Sequence, residues 1–143
     1  MWEPQVTALA DAFRVIRWDR RGFGLSSGRP SLAKDVSDIR ALCRHLEVQQ
    51  AAFVGMSQGA RVVLQLADIC PALVASLILD GPPTLDTAAA ANAPPELPYE
   101  YYRSLVRTHG MAAFRREWLE HPLAQLRTGD PHARDLLLRM IGR

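Results

Sequence analysis

Apolar residues recur along this chain at two periods, and the changes of period mark out its elements. Val6, Leu9 and Phe13 stand at helical spacing, so residues 2–12 read as part of a helix. Phe13-Arg14-Val15-Ile16-Arg17-Trp18 is rich in β-branched and aromatic residues and reads as a strand. Asp19 to Pro30 carries Gly22, Gly24 and Gly28 and reads as a loop. Ser31 is a candidate cap for a helix to about Leu46, whose apolar face is Leu32, Val36, Ile39, Leu42, Cys43 and Leu46. Ala51-Ala52-Phe53-Val54 then reads as a buried strand and Ala60 to Ala67 as a helix, stopped by Pro71 just after Cys70. Val74 to Leu79 is a further buried strand, ending at Asp80-Gly81-Pro82-Pro83. Strand, helix, strand, helix, strand, with mostly apolar strands, predicts an α/β fold: a parallel sheet with helices on both faces.

Past Gly81 the character changes. Residues 81–98 are rich in proline and alanine without periodicity and read as a linker. Residues 99–143 read as wholly helical, punctuated by Gly110, Pro122, Gly129 and Pro131. Tyr102, Leu105 and Val106 share one apolar face, Phe114 and Trp118 another, and Leu136, Leu137, Met140 and Ile141 a third. The expected organisation is a core over 1–80, a linker over 81–98 and a helical segment over 99–143.

Composition narrows the function. A chain of 143 residues, 48% hydrophobic, suffices for one ordinary globular domain. The net charge is only +2, and all but Lys34 of the 17 basic residues are arginines. Arg20-Arg21 and Arg115-Arg116 are pairs without a basic stripe or interleaved aromatics, so nucleic acid is not an expected partner. Cys43 and Cys70 lack metal-ligand spacing and read as buried free thiols. No apolar run approaches the ~20 residues of a membrane span. Met1-Trp2-Glu3-Pro4-Gln5 has neither the basic start nor the apolar core of a signal peptide, so a cytoplasmic protein off the membrane is expected.

The chemistry concentrates at Gly55-Met56-Ser57-Gln58-Gly59, a Gly-x-Ser-x-Gly run between a strand and a helix. A serine there sits on a sharp turn that lifts its hydroxyl out of the sheet, a nucleophile elbow. The flanking glycines are expected because a Cβ at either would strike neighbouring backbone. The helix brings its N-terminal N–H groups and positive dipole end close by. Ser57 is therefore the candidate nucleophile of an acyl transfer, and the backbone N–H of Gln58 the candidate oxyanion donor.

These residues resemble the α/β-hydrolase superfamily. Asp19-Arg20-Arg21-Gly22-Phe23-Gly24-Leu25-Ser26 is similar to the Asp-x-Arg-Gly-x-Gly-x-Ser segment after that family's fourth strand, and Leu77-Ile78-Leu79-Asp80-Gly81-Pro82 to the end of its sixth. The helical tail resembles its cap. Esterases, lactone hydrolases and cofactor-free haloperoxidase-like members are the nearest in flavour. The resemblance implies a serine hydrolase acting on a small ester, lactone or related acyl substrate, with no metal or organic cofactor. It aligns the chain with a middle segment of the fold, lacking the His-Gly-type oxyanion loop, the acid after the seventh strand and the histidine after the eighth. The third strand, which lies between the fourth and fifth, is missing too. That leaves Phe13–Trp18 and Ala51–Val54 without the strand that pairs them.

The remaining polar residues fit structural roles better. Some α/β-hydrolases take their acid from the sixth strand, which makes Asp80 a weak candidate; a turn aspartate before Gly81-Pro82-Pro83 is the preferred reading. His45, His109, His121 and His132 read as surface or capping residues and none is carried as catalytic. Asp19 and Arg21 are expected to satisfy backbone groups in their loop, and Trp18 and Trp118 to be core. Two alternatives stand beside the hydrolase reading. One is a non-catalytic fragment or decayed hydrolase without acid and histidine. The other, less favoured, is dinucleotide binding by Gly22-Phe23-Gly24-Leu25-Ser26-Ser27-Gly28 with Asp38 downstream. Arg29-Pro30-Ser31 separates those glycines from the helix whose N-terminus would have to meet the pyrophosphate.

Overall fold

The computed structural model describes residues 2–82 and 97–142, which divide between two compact units: Asp19–Ala93, and Met1–Trp18 with Pro94–Arg143. The predicted linker lies for the most part outside the described residues.

The first unit is a β-α-β arrangement with one helix before it. Helix α2 runs over Leu32–His45, strand β1 over Ala51–Met56, helix α3 over Gln58–Ile69 and strand β2 over Val74–Asp80. Ser31 caps α2 as expected, its side chain accepting from the Lys34 N–H. The strands pair in parallel, with Phe53 beside Leu77, Val54 beside Ile78 and Met56 beside Asp80. A parallel pair needs a crossover, and α3 with the short 3₁₀ turn Pro71–Leu73 provides it.

The core is one cluster: Val36, Ile39 and Cys43 of α2, Phe53 of β1, and Val62, Val63 and Leu66 of α3. Ile39 and Leu66 are fully enclosed, each contributing roughly 1.5–3 kcal/mol by burial. Both helices meet Phe53 in this cluster. The neighbours Val54 and Ile78, paired on the opposite sheet face, are exposed. That corrects the expectation of a buried second strand: β2 has only Val74 and Leu77 half-buried against the core.

In the second unit, helix α1 covers Glu3–Leu9, shorter than expected. Residues 13–18 form no strand, a correction with a simple cause. A strand needs a neighbour to take its N–H and C=O groups, and among the described residues none is paired with it. Helix α4 spans Tyr99–Glu120 with a break at Gly110 (φ 79°, ψ 172°), a 3₁₀ turn covers Pro122–Ala124, and helix α5 covers Pro131–Ile141. Residues 125–130 are not helical, so the tail is not helical throughout.

The break at Gly110 folds the two halves of α4 together. Tyr102 packs edge-on against Phe114 (5.3 Å) and Trp118 (5.8 Å), so two faces that the sequence kept apart become one aromatic cluster. His121 lies flat on Trp118 at 4.9 Å. Among the described residues of this unit only Ala124 is buried.

Candidate active site

Strand β1 ends at Met56 and α3 begins at Gln58, so Ser57 makes the whole turn between them. It does so at φ 52°, ψ −118°, a conformation rare for a residue with a side chain. The turn is held from β2: the Ser57 N–H donates to the Asp80 carbonyl at 2.8 Å. Ser57 and Gln58 are exposed, as expected of a hydroxyl raised from the sheet.

The two motif glycines differ. A Cβ on Gly55 would come within 2.6 Å of the Gly59 carbonyl carbon and oxygen and 2.7 Å of Ala60 Cα, so strand and helix meet where only a hydrogen fits. A Cβ on Gly59 would meet nothing within 4 Å, which corrects the expectation that both would collide.

At the start of α3, Ala60 and Arg61 donate to the Ser57 carbonyl, while among the described residues no acceptor takes the N–H of Gln58 or Gly59. These are the free donors of a helix N-terminus. Ser57 makes no side-chain cap, which leaves its hydroxyl outside the helix bonding.

The Asp19–Pro30 loop is tied down beside this turn. Asp19 accepts the Leu25 N–H at 3.0 Å, its carbonyl accepts the Ser26 hydroxyl at 2.6 Å, and a Cβ on Gly24 would strike its carboxylate. Arg21 does not serve loop backbone as expected; it clamps Asp38 of α2 through two bonds of 2.8 and 2.6 Å. That pairing pushes the Arg21 guanidinium above its ordinary range and occupies the carboxylate the dinucleotide reading needs.

Arg20, one of a basic pair and the variable position of the Asp-x-Arg-Gly segment, has a fuller place in the structure. Its Nε and Nη2 both donate to Asp35 Oδ2, at 2.9 and 2.5 Å. Its Nη1 donates to Gln58 Oε1 at 3.4 Å, and its guanidinium lies over the Phe23 ring at 5.4 Å. Asp35 is buried and its Oδ1 has no partner among the described residues. Asp35 stands between Leu32 and Ile39 on the buried stripe of α2, where a carboxylate needs a partner, and that position is its one signal in the sequence.

Asp80 comes beside the elbow through its backbone, and its carboxylate is exposed at the C-terminal end of β2. Two of the four histidines have side-chain hydrogen bonds within the second unit. His45 ends α2 at the surface, His109 bonds to Thr108 Oγ1 at 2.7 Å, His121 accepts the Leu123 N–H at 3.2 Å, and His132 is exposed in α5. Among the described residues of the unit that carries Ser57, no histidine or carboxylate hydrogen-bonds its hydroxyl. Surface depressions lie beside Arg40, Cys43 and Arg44, and between α2 and α3 beside Leu32, Arg61 and Leu64; Ser57 lines neither.

A strained serine between a parallel strand and a helix, a glycine packed against that helix and a tied Asp-x-Arg-Gly loop are features of the α/β-hydrolase class. The α/β hydrolase fold family matches residues 1–126, and the chain belongs to it. Among curated proteins it is 38% identical over 91 residues to the "Putative carbamate hydrolase RutD" of Serratia proteamaculans, covering 60% of this chain and 34% of that protein. It is 38% identical over 71 residues to 3-oxoadipate enol-lactonase 1 of Acinetobacter baylyi, covering 46% of this chain and 26% of that one. Among solved structures, a hydrolase from Pseudomonas aeruginosa superposes with a TM-score of 0.72 at 31% identity, over 99% of this chain and 52% of its own. The chain thus spans about a third of the first curated relative and about half of that hydrolase. Among the described residues no helix is long and apolar enough to cross a membrane.

Proposed function

We propose that this chain carries the nucleophile of a serine hydrolase acting on a small ester, lactone or related acyl compound. The observation that supports the reading most is the backbone of Ser57: a left-handed φ at a strand-to-helix turn, between glycines, with free N–H groups following it. Such strain persists where the surroundings enforce it, and here Gly55 and the bond to Asp80 do so.

In this reading the Ser57 oxygen attacks the carbonyl carbon, and the Gln58 N–H donates to the oxyanion that forms. The carbon–oxygen bond to the leaving alcohol then breaks, the alcohol takes the proton lost by serine, and water hydrolyses the acyl-enzyme. An aspartate in place of Ser57 would suit alkyl-enzyme chemistry instead, and the serine speaks for acyl transfer. The relatives named as an enol-lactonase and a carbamate hydrolase support a small acyl substrate.

The lack of a hydrogen-bonded base at Ser57 among the described residues of its own unit favours a second reading, a chain that holds the nucleophile without a base of its own. A fluorophosphonate probe with intact-mass detection separates the two. Labelling of the unsubstituted chain that Ser57→Ala abolishes supports the hydrolase reading. Labelling that survives the substitution overturns the role of Ser57, and a chain that never labels supports the second reading.

A further inference from the structure

We propose that Arg20 is a positioning residue for the elbow: it holds the Gln58 side chain so that the free N–H groups of α3 stay open to a reacting oxyanion. The inference deepens the hydrolase reading and rests on it. Gln58 is the first residue of α3, and its side chain is exposed. A side-chain carbonyl at that position is a ready acceptor for the unpaired N–H groups of its own helix, as capping side chains are. Such self-capping competes with an oxyanion for the same donors. Arg20 prevents it by engaging Gln58 Oε1 at 3.4 Å.

Arg20 is itself held firmly. Two of its N–H groups converge on Asp35 Oδ2, and Asp35 is 2% exposed. A buried carboxylate binds its hydrogen-bonded cation strongly, because removing either partner strands the other. The guanidinium is braced on its other side by the Phe23 ring. A buried acid in α2, an arginine of the glycine-rich loop and the residue after the nucleophile thus form one chain of contacts. Arg21 and Asp38 make a parallel pair from the same loop to the same helix without touching Gln58, which supplies an internal control.

The test is the second-order rate of fluorophosphonate labelling, in which the Ser57 oxygen–phosphorus bond forms, fluoride leaves and buffer takes the hydroxyl proton. Arg20→Gln is expected to slow labelling about tenfold, since losing an oxyanion donor outright costs more than misplacing its competitor. Gln58→Ala has no side-chain carbonyl to compete and supplies the reference rate for the double substitution. R20Q/Q58A is expected to label at the rate of Gln58→Ala alone, because nothing remains for Arg20 to restrain. A double variant about tenfold slower than Gln58→Ala overturns the proposal, since Arg20 would then act through the fold. Gln58→Asn leaves the buried pair untouched and is too short to reach Arg20. It is expected to slow labelling, and an unchanged rate overturns the proposal even if Arg20→Gln does not fold. The side-chain amide resonances of Gln58 give a readout free of reactivity: they move in Arg20→Gln and stay in Arg21→Gln. If they behave so while no chain labels, the hydrolase reading fails and the contact stands; if both variants move them alike, the contact is refuted.

Discussion

Ser57 sits at φ 52° with a full side chain, a conformation that costs on the order of 1–3 kcal/mol and must be held by its neighbours. Gly55 is one of them. Gly55→Ala drives a Cβ into the backbone of Gly59 and Ala60 and is expected to destabilise the fold by about 1–3 kcal/mol or more. Gly59→Ala meets open space in the first turn of α3 and is expected to gain about 0.4–1 kcal/mol by restricting the unfolded chain. Urea unfolding of the two variants checks the contrast; equal losses would restore the symmetric role that the motif suggests. Cys43 offers a second residue-scale test. Burial raises its thiol above the ordinary range, so the fold keeps a proton that the unfolded chain releases at high pH. That contribution is whole below the unfolded thiol's pKa and is lost as pH rises through the folded one. The thiolate is the reactive form, so iodoacetamide at mildly alkaline pH should modify half-buried Cys70 well before Cys43, as peptide mapping would show. Gly55 was legible because its spacing from Ser57 carries a steric meaning. The burial of Asp35 was less so, since a period marks the stripe but does not reveal where its partner comes from.

Among the elements, α2 followed its sequence closely: Ser31 caps it and its stripe of Val36, Ile39 and Cys43 enters the core. A helix satisfies its backbone within itself, so local pattern suffices. Residues 13–18 have strand composition and no ladder, because a strand is completed only by another segment. Helix α4 depends on one residue. Gly110 holds φ 79°, ψ 172°, a region essentially closed to other residues. Gly110→Ala meets no steric obstacle at the Cβ, so its cost of about 1–3 kcal/mol is that of the backbone alone. The kink should open and separate Tyr102 from Phe114 and Trp118, with loss of near-UV circular dichroism and little change in helix content. A retained near-UV signal would show that the aromatic cluster forms without the kink.

For the molecule as a whole, burial divides unevenly between its two units. The core belongs to α2, β1 and α3, while α4 and α5 have no buried residue among those described and the 3₁₀ turn between them buries Ala124 alone. Hydrogen exchange should therefore be slowest in β1 and α3 and at least about tenfold faster across α4 and α5, since local opening tracks buried apolar contact. Equal protection in both would contradict that division. The exposed sheet face with Val54 and Ile78 belongs to a chain that spans about half of its structural relative. The sequence by itself determined the helix periods, the parallel β-α-β order, the elbow at Ser57 and the family, because these rest on local spacing and on short motifs with steric content. Only the tertiary structure decided which sheet face is covered, that Gly55 and not Gly59 is the tight contact, that Gly110 gathers the aromatic rings, and that Arg20 joins Asp35 to Gln58. Each of these joins residues distant along the chain or depends on how closely two elements approach, and periodicity carries no information about either.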